Sequence, residues 1–364
     1  PADLGQYLLP AGAALNHANQ TILRSTSREQ MLAEICRGAV VYGGLKMAWI
    51  GLVDPATKRV RPVATFGEHL DYVARLDISV DPAQASAYGP TGEAIRTNRP
   101  VWCDDFQDNA ETGHWRQPAL RQRWGSSAAL PLHHGGEVIG AFNLYSGEVD
   151  AFDEDIRDLL IEMASDIDYA LAAFEREAER QHVLKLEEFR VFVLELLTRK
   201  IPLSVILQQI AERIEVLLPG RLCSILTLDP DGEHLRLAAA PSLPDFFNRA
   251  ADGLRIGPGV GSCGHAAYTG EATIVENIAT DPKWEAFQDL ARRAGVAASW
   301  SYPIITSGKQ VLGTFAIYAR TPSTPDHNTV QLIETTSQLI ALAIDSKRYE
   351  DRIQYLAHFD SLTS

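Results

Sequence analysis

Cys263 and His265 are the residues of this chain whose types and spacing come nearest to chemistry. They stand in Gly261-Ser262-Cys263-Gly264-His265, where the flanking glycines signal a turn into a helix. A thiol at a helix N-terminus beside an imidazole is biased toward thiolate, which suits redox sensing. The alternative is a buried structural cysteine, because free cysteine commonly packs as a small hydrophobe. The four cysteines, Cys36, Cys103, Cys223 and Cys263, show no Cys-x-x-Cys spacing, so reduced thiols are expected in place of a zinc knuckle or a disulfide framework. His133-His134 suggests a metal pair, but adjacent strand residues point to opposite faces, and a solvated hairpin is expected there. No Gly-x-Ser-x-Gly, P-loop or His-Glu-x-x-His motif occurs, and Gly257-Pro258-Gly259-Val260-Gly261 lacks the strand, helix and lysine of a phosphate cradle. No metal site and no catalytic constellation are expected.

The elements that must position these residues are written twice. Val138-Ile139-Gly140-Ala141-Phe142-Asn143-Leu144-Tyr145 returns as Val311-Leu312-Gly313-Thr314-Phe315-Ala316-Ile317-Tyr318, and upstream Pro131 answers to Pro303 and Gly92 to Gly264. A period this long is that of a domain with its own core, not of a solenoid repeat. In each copy an amphipathic helix precedes a hairpin: Met47 to Val53 with Val60 to Thr65, and Cys223 to Leu228 with Leu235 to Ala239. Ser27 with Gln30 reads as a capping box for the first helix. Loops and short helices follow, then a second hairpin: Ala128 to Leu132 with Val138 to Tyr145, and Trp300 to Ile305 with Val311 to Tyr318. Strands joined by tight turns are antiparallel, so the fold class is α/β of the α+β kind, with a central antiparallel sheet in each copy.

Long helices close both copies, with Asp153 expected to cap the first and Thr324, followed by Pro325, the second. In the first, Ile156, Leu160, Met163, Ile167, Ala170 and Phe174 form a heptad seam. The spacing stutters through Ala178, His182 and Leu186 and returns to heptads at Phe189, Val193 and Leu196, a place where two seam registers could interconvert. In the second, Leu332, Leu339, Leu342, Ser346, Tyr349, Ile353 and Leu356 fall on another heptad frame. The early turns are expected to pack on their own sheets and the later turns of both helices to pair in a parallel homodimer.

Composition sets the outer limits. With 46% hydrophobic and 22% charged residues in 364, the chain can bury two ordinary cores. A formal charge of −14 argues against a nucleic-acid or anionic-membrane surface. No apolar run approaches the roughly 18 residues of a spanning helix, and the N-terminus has no signal-peptide pattern, so no membrane insertion and a cytoplasmic location are expected.

The residues resemble tandem GAF domains, small-molecule-sensing relatives of the PAS fold. The first copy carries Met47-Ala48-Trp49-Ile50-Gly51-Leu52-Val53, Gly89-Pro90-Thr91-Gly92-Glu93-Ala94-Ile95, Ser126-Ser127-Ala128-Ala129-Leu130-Pro131-Leu132 and Gly140 to Tyr145. The second carries Gly261 to Ala267, Asp281-Pro282-Lys283-Trp284, Ser299-Trp300-Ser301-Tyr302-Pro303-Ile304 and Gly313-Thr314-Phe315-Ala316. The corresponding division is an N-terminal helix at 1–20, GAF domains at 21–172 and 201–345, a connecting coiled-coil helix at 173–200 and an output helix at 346–364. Leu356-Ala357-His358-Phe359-Asp360-Ser361-Leu362-Thr363 resembles the junction into a GGDEF diguanylate cyclase domain, which the resemblance places downstream in cis. An EAL phosphodiesterase domain beyond it stays an open addition.

In such relatives the ligand lies between the sheet and the variable middle segment. The resemblance therefore points to Tyr88, Cys103, His114, Trp115 and Trp124 in the first copy, and to Cys263, His265, Trp284, Trp300 and Tyr302 in the second. The implied partner is an unnamed small molecule, and the implied role is a sensor, not an enzyme. Two alternatives stay open: a GAF-fold thiol protein resembling methionine-sulfoxide reductases, although Asp281 to Ser301 lacks the further cysteines those enzymes use, and a haem gas sensor. Haem is disfavoured because His69, His114 or His265 would ligate it without any accompanying signature. Bilin-attachment motifs are missing, and Asn98-Arg99 begins a cyclic-nucleotide pattern in the wrong place.

Overall fold

The structure, a computed structural model, describes residues 5–105 and 123–360. The chain divides into two units, 1–180 and 181–364. In the first, helices α1 (Gly5–Arg24) and α2 (Arg28–Val41) precede strands β1 (Met47–Asp54) and β2 (Arg59–Gly67). Then come α3 (Leu70–Val73), β3 (Ile78–Ser79), α4 (Pro90–Thr97), β4 (Val101–Cys103), β5 (Ser126–His134) and β6 (Glu137–Ser146). Helix α5 (Glu154–Thr198) runs on for 45 residues into the second unit. There α6 (Leu203–Leu217), β7 (Leu222–Leu228), β8 (His234–Ala239), α7 (Asp245–Ala251), β9 (Leu254–Arg255) and α8 (Gly261–Thr269) follow. The unit ends with β10 (Thr273–Val275), α9 (Gln288–Ala294), β11 (Ala298–Ile305), β12 (Val311–Ala319) and α10 (His327–Asp360).

Each unit holds one six-stranded antiparallel sheet, in the orders β3-β2-β1-β6-β5-β4 and β10-β11-β12-β7-β8-β9. These are the same topology: two hairpins are brought together by pairing the first strand with the last, β1 with β6 and β7 with β12. The repeated segment shows why glycine stands at its head. A Cβ on Gly140 would lie 2.1 Å from the Gly51 carbonyl oxygen, and one on Gly313 would lie 2.0 Å from that of Leu226, so a side chain at either place would push the paired strands apart.

Both sheets are covered on two faces, so their inner strands are buried almost throughout. In the first unit Met31, Leu32, Ile35, Phe142, Leu144, Leu160 and Ile167 make the core between the sheet and α1, α2 and the start of α5. In the second, Ile206, Ile210, Ile225, Phe315, Ile317, Ile333 and Ile340 make the equivalent core against α6 and α10.

Ser27 caps α2 by accepting the Gln30 N–H at 3.2 Å, and Asp153 caps α5 by accepting the Ile156 N–H at 2.9 Å. The last helix starts later than Thr324 implies. Asp326 accepts the Thr329 N–H at 2.8 Å and its carbonyl takes that of Val330, so the carboxylate is the cap and Pro325 lies before it. The Thr329 side chain and then its backbone N–H hold the Asp326 carboxyl below the usual range. A depressed carboxyl stabilises the fold above its unfolded value and loses that contribution as pH falls through the folded one. Asp326→Ala is expected to lower second-unit stability by about 1 kcal/mol at pH 7 and by less as pH falls below the carboxylate range, as read by urea denaturation across that range.

The heptads of α5 find a different partner from the one their spacing suggests. Ile156, Leu160, Met163, Ile167 and Ala170 are buried in the first core as expected. Phe189, Val193 and Leu196, expected to face a second copy, are at most 1% exposed and packed among Ile206, Ile210 and Ile340 of their own chain. A 3.5-residue repeat reports that one helix face is apolar, and a folded domain satisfies that face as well as a second helix does.

Candidate functional site

The second face of each sheet carries the variable elements. Strand alternation decides what reaches it, since successive side chains point to opposite faces. On β11, Trp300 and Tyr302 join the core under α6 and α10, while Ser299 and Ser301 hydrogen-bond to α8 on the other side. On β12, Phe315 and Ile317 go with the tryptophan, and Ala316 and Tyr318 with the serines.

Between this face and α7, α8 and α9 lies a partly open cavity whose empty space, counted with the solvent at its mouth, is about 400 Å³. Leu226, Phe247, Leu254, Cys263, Trp284 and Tyr318 line it, and no charged side chain does. Gly261, at φ 56°, turns the chain into α8 at the cavity wall, a backbone conformation open to glycine at little cost. Two carbons, Trp284 Cε2 and Phe287 Cδ2, sit 4.0 Å from where its Cβ would be, so the two rings flank this turn.

The polar groups of the wall bind one another. Cys263 Sγ lies 3.3 Å from Ser301 Oγ and 3.5 Å from Tyr318 Oη, which is 3.2 Å from Ser224 Oγ. Ser262 and Ser299 pair at 2.7 Å. Burial pushes the Tyr318 hydroxyl well above its ordinary pKa, with Cys263 adding to the effect, so the wall carries no charge from it at neutral pH. Trp284 is the exception: its Nε1 is buried without a partner.

Of the residues expected in the second copy, the cavity gathers Cys263 and Trp284. His265 is absent from its lining because positions two apart on a helix do not share a face. Trp300 and Tyr302 lie on the opposite side of the sheet, with the Trp300 indole N–H donating to the Ser323 carbonyl at 3.0 Å. Tyr318, Phe247, Phe287 and Leu254 escaped the sequence reading. Tyr318 had a signal, the repeated terminal tyrosine of the duplicated strand, whereas the others lie on elements without a matching motif.

The first unit places larger side chains in the equivalent space. Trp49 pairs with Asn143 across the β1–β6 ladder as Ser224 pairs with Ala316 across β7–β12, so the indole stands where the second copy has a serine. Two residues on, Gly51 stands where the second copy has Leu226, and a Cβ there would lie 2.6 Å from Trp49 Cζ3. Large then small in one copy, small then large in the other, the pair gives the two recesses different walls. Trp49 is fully buried with Met47, Cys103, Trp124 and Tyr145, and burial pushes the Tyr145 hydroxyl up to about 12. Trp124 lies against Tyr72 and Tyr145 at ring-centroid distances of 4.9 and 4.4 Å. What remains is a recess of about 320 Å³ beside Tyr72, Thr91 and Tyr145, where Thr91 donates to Asn143 Oδ1 at 2.7 Å. Cys103 and Trp124 thus belong to the packed cluster. Tyr88 is 60% exposed with its hydroxyl on the Pro82 carbonyl, and His114 and Trp115 lie outside the described residues.

His133 and His134 do not merely face solvent. Nδ1 of His133 is 2.7 Å from Asp168 Oδ2, and Nε2 of His134 is 2.6 Å from Glu175 Oε2, so both tie the β5–β6 hairpin to α5. Among the described residues no cluster of His, Cys, Asp and Glu could hold a metal, and no helix is long and apolar enough to cross a membrane.

Several known proteins are similar to part of this chain. A methyl sulfide methyltransferase-associated sensor of Methanosarcina acetivorans is 33% identical over 162 residues, 44% of this chain, which spans 16% of that relative's length. Among solved structures, a free methionine-R-sulfoxide reductase of Neisseria meningitidis, in complex with its substrate, is 18% identical, covering 46% of this chain and 91% of its own at a TM-score of 0.39. The GAF domain of a phosphoenolpyruvate-protein phosphotransferase of Coxiella burnetii is 15% identical, covering 47% of this chain and 98% of its own at a TM-score of 0.40. The GAF-domain family matches residues 25–172 and again 201–345, and the chain therefore belongs to that family, with two GAF domains joined through one long helix.

Proposed function

We propose that this chain is a cytoplasmic sensory module in which the second GAF domain binds a small molecule and the long helices carry the response to a downstream GGDEF domain that handles c-di-GMP. The observation that carries the reading is the cavity between the second sheet and α7, α8 and α9, with its apolar wall and one unmatched donor. The first domain, with Trp49 in its equivalent space, serves as a partner that grips α5 through the pairs His133–Asp168 and His134–Glu175. The GGDEF assignment rests on the resemblance of Leu356 to Thr363, whose backbone is helical as far as Asp360.

Homodimerisation belongs to α10. Leu342, Tyr349 and Ile353 continue the heptad frame of that helix and are 47%, 68% and 66% exposed, an apolar stripe that its own domain leaves uncovered. A Tyr349→Cys variant is expected to crosslink to a second copy under mild oxidation at micromolar protein. Recovery of monomer alone would remove the dimeric transmission route.

The ligand reading is tested by native mass spectrometry of the protein as purified, beside Ala251→Trp. That half-exposed residue lines the cavity, and an indole there would occupy it. A bound species present in the parent and absent from the variant is expected, with a loss of any metabolite-induced rise in melting temperature. Equal ligand binding by both proteins would move the site elsewhere.

A further inference from the structure

Every polar side chain lining the second-domain cavity has a partner except one. Ser262 is matched by Ser299, Cys263 by Ser301 and Tyr318, and Tyr318 by Ser224. The Trp284 indole N–H is buried without an acceptor, on a residue that is 4% exposed and lines the cavity. An indole N–H only donates. A buried donor left unmatched costs free energy that a bound acceptor returns.

Charge restricts the ligand further. No Lys, Arg, His, Asp or Glu lines the cavity. A nucleotide phosphate or the paired charges of an amino acid would be desolvated there with nothing to balance them. The remaining walls are aliphatic and aromatic, including Leu226, Phe247, Leu254 and Phe287.

Resting on the reading of this cavity as the ligand site, we infer that its ligand is an uncharged, mainly apolar small molecule bearing a hydrogen-bond acceptor, and that the acceptor docks on Trp284 Nε1. Discrimination between ligands of similar shape then comes from this single donor, with affinity supplied by the apolar walls.

Three probes of similar size separate the terms, measured by isothermal titration calorimetry on the full chain: acetophenone (neutral, with an acceptor), ethylbenzene (neutral, without one) and benzoate (an acceptor carrying charge). Acetophenone is expected to bind about tenfold tighter than ethylbenzene, the scale of one hydrogen bond in a dry site, and benzoate to give no binding. Trp284→Phe should bring acetophenone to the level of ethylbenzene while leaving ethylbenzene within about twofold. Equal affinities of acetophenone and ethylbenzene for the parent protein, which needs no variant to fold, would overturn the role of Trp284. Preferred binding of benzoate, abolished by Ala251→Trp, would overturn the ligand class and leave the cavity as the site. Binding of none of the three, or binding untouched by Ala251→Trp, would overturn the cavity reading and this inference with it.

Discussion

Trp49→Ala is expected to lower the stability of the first GAF domain by about 3–5 kcal/mol and to leave the second domain unchanged, the scale for truncating a large aromatic in a packed core. The side chain is fully buried among Met47, Cys103, Trp124 and Tyr145, and its ring runs over Gly51, which has no Cβ to obstruct it. Collapse of the vacated space is limited because the strands around it are fixed by ladder hydrogen bonds to β2 and β6. Denaturant unfolding followed by hydrogen exchange and mass spectrometry assigns each transition to its domain. A first-domain transition shifted by less than about 1 kcal/mol would show that the indole is a replaceable lid and not the filling of the core. The same variant creates space where the second domain has its cavity, so it also reports whether the first domain is closed by this one residue.

Phe189→Ala is the counterpart in the second domain. The structure gives this residue to the second domain's core, 1% exposed with Val193, Leu196, Ile206 and Ile210 around it. A loss of about 3–5 kcal/mol is expected in the second domain, independent of protein concentration. If the residue instead faced another copy, the cost would appear as dissociation and would grow on dilution. A concentration-dependent effect with unchanged second-domain stability would therefore sink the packing described here. Helix α5 contributes buried residues to both cores, Ile156 to Leu171 to the first and Phe189 to Leu196 to the second.

Much of the fold was legible in residues. The repeated strand, the hairpins around Asp54-Pro55 and Asp231-Gly232 and the cap at Asp153 depend on local chemistry: turn residues, period-two alternation and a carboxylate before an apolar run. The cap of the last helix shows the limit of local rules, since Thr324, Pro325 and Asp326 all carry start signals and only the carboxylate's bond to Thr329 selects one. The site was legible in part. Trp284 and Cys263 came from motifs, but Trp300 and Tyr302 were grouped with them because aromatic residues suit pockets, and alternation then placed both on the far side of the sheet. Period two tells that Trp300 and Tyr302 share a face. It does not tell which face the helices α6 and α10 will cover.

By itself, then, the sequence determined that there are two copies of one α+β domain, that each has an antiparallel sheet built from two hairpins, and that apolar stripes run along the helices that close them. Those properties follow from short-range periodicity and turn chemistry, which a chain carries wherever its neighbours lie. Only the tertiary structure decided that Trp49 stands in the place of Ser224, because β1 meets β6 across a separation of more than ninety residues, as Asn143 and the Trp49 carbonyl show by their contact at 3.5 Å with a separation of 94. It also decided that the seam at Phe189 is satisfied within the chain, since an apolar face is silent about which surface will cover it. The strands repeat because both sheets need the same ladder, and the recess walls differ where two positions on one strand exchange large for small.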